Sequence, residues 1–223
     1  MASYSGAHLH STLLEAANID VGSLNINAGN NFNNFGANIN TSNAASIIAA
    51  TDINIETVQL RDRTEVSSKK YHMISDRTKN IKSNIASADN LTMQAGGDIL
   101  LKGSDVTATQ NTNLTASGAI NIESAQDSFY HFEKRTKKKF FSKSTTESTT
   151  QQNTQIAAAI TAGGDVALNT AATIANNDIT VRSSELAAGD DLNITSGDKI
   201  NLQAAKNLSY NQVKTESDDT VWL

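Results

Sequence analysis

The sequence predicts an all-β chain wound as a right-handed parallel β-helix, a solenoid of short strands, with two basic loop or hairpin excursions. Three observations predict it. Aliphatic residues recur in i, i+2 pairs, as in Ile99/Leu101, Ile120/Ile122, Val166/Leu168, Ile179/Val181, Leu192/Ile194 and Ile200/Leu202. Such a pair puts both side chains on one face of a strand. Larger blocks then repeat without gaps: Ile53-Asn54-Ile55-Glu56 returns as Ile120-Asn121-Ile122-Glu123 at an offset of 67, and Ile99/Leu101 returns as Ile179/Val181 at an offset of 80. Finally, hydrophobic residues make up 38% and aromatics 5% of 223 residues, with no Pro and no Cys. A core that sparse must be built from regularly placed aliphatics, and repetition is how a chain places them.

The first block, residues 1–18, has no clear pattern. His8 and His10 share a face if this stretch is extended and could bind a metal weakly. Without a third ligand nearby they read as two surface histidines. No Lys or Arg precedes Arg61, and Leu13-Leu14 runs straight into Glu15. An export signal needs a basic start and a longer apolar run, so none is expected in this chain. No window approaches the ~18–20 apolar residues of a membrane span.

Residues 19–56, 85–123 and 156–208 carry the paired rhythm and are assigned to coils. From Ile99 to Ile120, and from Ile179 to Ile200, is 21 residues, enough for three short strands and three bends. Gly, Asn, Asp and Ser separate the pairs and supply the corners. Each buried aliphatic contributes ~1.5–3 kcal/mol, against ~1–2 kcal/mol of backbone entropy per residue ordered. One coil therefore cannot stand alone, but stacked coils share their ladders. The expectation is seven to nine coils, about 35–45 Å of rod at ~4.8 Å per coil. The many Asn residues are read as corner formers first and as stacked amide ladders second.

Residues 57–84 and 124–155 break the rhythm and hold 13 of the 18 basic residues. Residues 209–223 read as the start of a third excursion, as if cut from a longer array. The second excursion places Lys134, Arg135, Lys137, Lys138 and Lys139 beside Phe140 and Phe141, a mixture of cations and aromatics suited to an acidic glycan, anionic lipid or single strand. These seven residues are the candidate contact surface, because loops on a rigid scaffold usually carry binding. The net charge of −5 argues against a specific nucleic-acid partner.

Other chemistry reads as absent. Asp98 and Asp165 follow Gly pairs, but one or two carboxylates per bend suit corners better than calcium sites. His72 and His131 lack a Ser and Asp arrangement that makes a triad. The acidic residues are scattered, so no catalytic residue, cofactor or metal centre is assigned and the chain is not expected to be an enzyme.

Taken together, Ala95-Gly96-Gly97-Asp98-Ile99, Gly103-Ser104-Asp105-Val106, Ile120-Asn121-Ile122 and Lys137-Lys138-Lys139-Phe140-Phe141-Ser142-Lys143-Ser144 resemble the haemagglutinin repeats of filamentous haemagglutinin-like and contact-dependent growth inhibition exoproteins. Ala162-Gly163-Gly164-Asp165-Val166 and Gly189-Asp190-Asp191-Leu192 continue the pattern, and the resemblance covers about residues 20–210. It implies a repeat-region fragment of a two-partner secretion protein, exported by an outer-membrane transporter and extracellular or on the bacterial surface. The implied role is an adhesive rod that meets a receptor or glycan on a host or neighbouring cell. The alternative is a stalk that delivers a C-terminal toxin, and the third reading, a polysaccharide-active β-helix enzyme, ranks last.

Overall fold

The computed structural model describes residues 5–13, 15–171 and 177–219. Leu14, residues 172–176 of the block 156–208, and residues 220–223 of the final segment lie outside them.

The chain begins with β1 (Ser5–His10). Coil one follows as β2 (Asn18–Val21), β3 (Leu24–Ala28) and β4 (Phe32–Phe35), and coil two as β5 (Asn38–Thr41), β6 (Ala45–Ala49) and β7 (Ile53–Glu56). A hairpin of β8 (Val58–Ser67) and β9 (Tyr71–Ile81) leaves the solenoid there. Coil three is β10 (Asn84–Ser87), β11 (Leu91–Ala95) and β12 (Ile99–Lys102); coil four is β13 (Asp105–Ala108), β14 (Thr112–Ala116) and β15 (Ile120–Glu123). A longer hairpin of β16 (Ala125–Lys138) and β17 (Ser142–Ile156) intervenes. Coil five is β18 (Ala159–Ala162), β19 (Val166–Thr170) and β20 (Ile179–Arg182), and coil six is β21 (Glu185–Ala188), β22 (Leu192–Thr195) and β23 (Ile200–Gln203). The last strand is β24 (Leu208–Asp219).

Equivalent strands of successive coils pair in parallel, giving three six-stranded sheets around one spindle. Register is strict. Ile53, Ile99, Ile120, Ile179 and Ile200 form one column, and Ile55, Leu101, Ile122, Val181 and Leu202 the next. The inward residues of the middle coils are almost wholly buried, including Ile99, Leu101, Ile120, Ile122 and Ile179. A one-residue slip would send each column to solvent, so the i, i+2 pairs hold the register. At the outer coils the columns run out of cover: Phe32, over Ile53 at one end, is only half-buried, and Ile200 and Leu202 at the other are exposed.

The structure has six coils among the described residues, not seven to nine, and a rise of about 25 Å between the first and last. Each of the blocks 19–56, 85–123 and 156–208 forms two coils, and the segments between them form a fourth sheet. The strands β1, β8, β9, β16, β17 and β24 form one antiparallel sheet in that order. Thus the two excursions are hairpins, and they pair with each other from Ser128↔Thr78 to Arg135↔Tyr71. The geometry explains why. A hairpin leaves after every second coil, and two coils rise about 9.6 Å, the width of two strands. Each hairpin therefore meets the next at bonding distance. The offsets of 67 and 80 are this unit of two coils and one hairpin, the second hairpin being longer.

Corner chemistry accounts for the Gly-Gly-Asp motifs. Asp98 Oδ1 accepts the Ala119 N–H at 2.7 Å, and Asp52 Oδ1 accepts the Asp98 N–H at 2.9 Å. A second column does the same: Asn111 Oδ1 accepts from Asp165 N at 2.7 Å, and Asp165 Oδ1 from Asp191 N at 2.9 Å. Each Asx side chain thus caps the backbone one coil along. A Cβ on Gly96 would collide with the Ala50 carbonyl, and one on Gly97 with the Asp52 carboxylate. The Gly pair makes room for the coil below and its cap. Asn also forms short ladders, Asn38 donating to Asn18 Oδ1 at 3.0 Å and Asn54 to Asn33 Oδ1 at 2.9 Å. Corner use and ladder use both occur.

Candidate functional site

The hairpin β16–β17 carries all seven residues named from the sequence, but they divide into two groups. Lys134 lies opposite Glu147 in the ladder, and its ammonium sits 2.7 Å from Glu147 Oε1. Arg135 pairs with Glu133 two residues back on the same strand face, which raises its pKa, and its guanidinium lies 5.4 Å above the Tyr71 ring of β9. These two cations are spent on holding the fourth sheet together.

The other five stand at the tip. Lys137, Lys138 and Lys139 are exposed, and no ion pair is recorded for them among the described residues. The Lys139 N–H donates to the Ser142 carbonyl at 2.8 Å, closing a two-residue loop made of Phe140 and Phe141. Tight hairpin loops favour Asn-Gly or Gly because their residues take positive φ. Neither phenylalanine has a positive φ, so turn chemistry does not explain this choice. Phe140 is 92% and Phe141 57% exposed, with the rings edge to face at 4.6 Å. Water-exposed rings forgo the ~1.5–3 kcal/mol that burial of each would contribute. A partner that covered them would recover part of it.

Sequence reasoning missed the acidic border of the tip. Strand β24 pairs with β17 and places Asp218 opposite Lys143 and Glu216 opposite Thr145. Lys138, Lys139, Phe140, Phe141, Lys143 and Asp218 line one shallow groove of about 410 Å³. The Glu216 carboxylate is held below the usual range by the Lys214 ammonium, whose own pKa is raised in return. So the surface is a cationic and aromatic point with a carboxylate rim on one side. No sequence signal marks that rim, because it comes from strand pairing over more than 60 residues.

The sequence also missed a neighbour of the two N-terminal histidines. Asp62, on β8, lies directly across from His10 in the β1–β8 ladder. The expectation of two histidines without a third ligand nearby is corrected by this pairing.

A family model described as "Hemagglutinin repeat" matches residues 63–139 and 141–221. The chain belongs to the hemagglutinin-repeat family. The second matched hemagglutinin repeat runs from β17 through two coils into β24, and the first from β8 through two coils into β16. The two repeats meet at Phe140, the point of the hairpin. Among curated proteins, the tRNA nuclease CdiA of Escherichia coli (strain STEC_O31) is 29% identical over 203 residues, which is 90% of this hemagglutinin-repeat chain and 6% of that protein. The chain thus spans a small part of the length of that relative. No solved structure matches it. No helix among the described residues is long and apolar enough to cross a membrane.

Proposed function

We propose that the chain is a rod segment of a secreted bacterial surface adhesin, and that Lys137, Lys138, Lys139, Phe140 and Phe141 are the point at which the rod touches another cell. The observation that carries this reading is the exposed Phe140–Phe141 pair, at the end of a hairpin and directly after three exposed lysines. A parallel solenoid keeps length and stiffness, while the hairpin tip carries contact chemistry away from it. The partner is a receptor or acidic glycan on a host or neighbouring cell. An outer-membrane transporter exports the parent protein, which works outside the cell. The segment binds and positions, with no cofactor and no chemical step of its own.

The test uses the purified full chain, fluorescently labelled, on target cells and on immobilised acidic glycans. Saturable binding that weakens with added salt is expected, together with a tenfold loss in a variant carrying Lys137→Ser, Lys138→Ser, Lys139→Ser and Phe140→Ser. Equal binding by the variant overturns the assignment of the tip.

A second reading rests on the relative that is named as a tRNA nuclease. In it the rod is a stalk segment that helps deliver a toxic domain to a neighbouring cell. A toxin and immunity pair encoded after this region supports the stalk; a parent without them supports adhesion.

A further inference from the structure

We propose that His8, His10 and Asp62 form a site for a divalent transition metal of the zinc class, which clamps the edge strand β1 to the hairpin sheet. The two histidines are two residues apart on β1 and so face the same side, with rings stacked at 14° and 5.8 Å between centroids. Antiparallel pairing sets Asp62 opposite His10 and Thr64 opposite His8. His8 Nδ1 lies 3.8 Å from one Asp62 oxygen, and His10 Nδ1 3.5 Å from the other. One nitrogen of each ring and one carboxylate oxygen all fall within 4.8 Å of one another.

Ligand atoms on a tetrahedral zinc at ~2.0–2.1 Å stand roughly 3.3 Å apart. The three side chains must therefore close by at most about 1.5 Å. They are free to do so, since His8, His10 and Asp62 are 57%, 51% and 50% exposed. Two imidazoles with one carboxylate suit zinc, nickel or copper rather than calcium or magnesium, which prefer oxygen ligands. Water completes the shell. The Thr64 hydroxyl stands 2.9 Å from His8 Nδ1, so a metal taken by that nitrogen displaces Thr64, and one taken by Nε2 leaves Thr64 as the outer partner that orients the ring. The clamp joins residues 52 or more apart in the chain, and it acts on the strand at the edge of the sheet, all six residues of which are exposed.

Calorimetric titration of the full chain with zinc chloride alone tests this. One equivalent of saturable binding is expected. His8→Ala, His10→Ala and Asp62→Asn should each weaken it tenfold or more, while the pair His72→Ala and His131→Ala leaves it unchanged. Circular dichroism of each variant separates loss of the site from loss of the fold. No saturable binding to millimolar zinc in the parent, or an unchanged affinity in the correctly folded His8→Ala or Asp62→Asn variants, overturns the proposal.

Discussion

Ile120 stacks on Ile99, its register partner one coil earlier, and both side chains are wholly buried. Ile179 covers Ile120 from the other side. A carboxylate at this point has no cation or water to meet. Ile120→Asp is therefore expected to destabilise the chain by more than about 4 kcal/mol, among the larger effects of a single change. Urea denaturation measures it. A midpoint equal to that of the parent would mean that residue 120 does not face the spindle.

The tip lysines should contribute little to stability. Exposed charges are worth about 1 kcal/mol or less, and a domain of this size moves ~2–4 °C per kcal/mol. Replacing Lys137, Lys138 and Lys139 with Ser should shift the melting temperature by no more than a few degrees, read by circular dichroism. A fall of ten degrees would mean that the run is built into the fold.

Gly103 turns the corner between β12 and β13 with φ of +56°, and a Cβ there would press on Ala125 and lie 2.9 Å from Thr57 Cγ2. Both neighbours stand at the roots of the hairpins. Gly103→Ala combines backbone strain with a collision and should cost about 2 kcal/mol or more. Gly29, with nothing near its would-be Cβ, is the comparison: Gly29→Ala should leave the denaturation midpoint almost unmoved.

Acid should loosen the first hairpin. Asp76 on β9 accepts hydrogen bonds from Arg61 at 2.6 Å and Arg63 at 3.0 Å on β8, and these guanidinium groups hold its carboxyl below the usual carboxylate range. A lowered pKa in the folded state means that its stabilisation is present above the unfolded value of about 3.9 and disappears as pH falls through the folded one. Stability should thus drop as the solution is taken below about pH 4. Asp76→Asn should be less stable at neutral pH and show a flatter decline, which melting curves between pH 2 and 6 can measure.

The solenoid was legible because it repeats: the columns through Ile99, Ile120 and Ile179 follow from spacing alone. The corners were legible in kind, since Asp98 and Asp165 sit where a bend needs a short polar side chain. The fourth sheet was not. Its strands, such as Ser142–Ile156, are rich in Ser, Thr, Gln and charge, without the apolar alternation that marks a half-buried strand. Their order arises from matching two coils to one hairpin, a dimension that no residue spells out. The coil blocks 19–56, 85–123 and 156–208 hold two coils each, so the expected seven to nine coils were more than those blocks can form. For the same reason Lys134 and Arg135 looked free in the sequence, while Glu147 across the hairpin and Tyr71 of the previous one engage them. The point at Phe140 and Phe141 was legible because it needs no long-range partner.

The pairing of one hairpin with the next is the relationship that joins repeat, rod and tip, and the absence of native cysteine makes it directly testable. Ser75 on β9 and His131 on β16 are register partners from different hairpins. Directly opposed residues place their Cβ atoms about 4.5–5.5 Å apart, close to the reach of a disulfide. Mild oxidation of the Ser75→Cys, His131→Cys double variant should form an intramolecular bond, seen by mass spectrometry of the digested monomer. Two free thiols after oxidation, in a variant that keeps its β signal, would contradict the account.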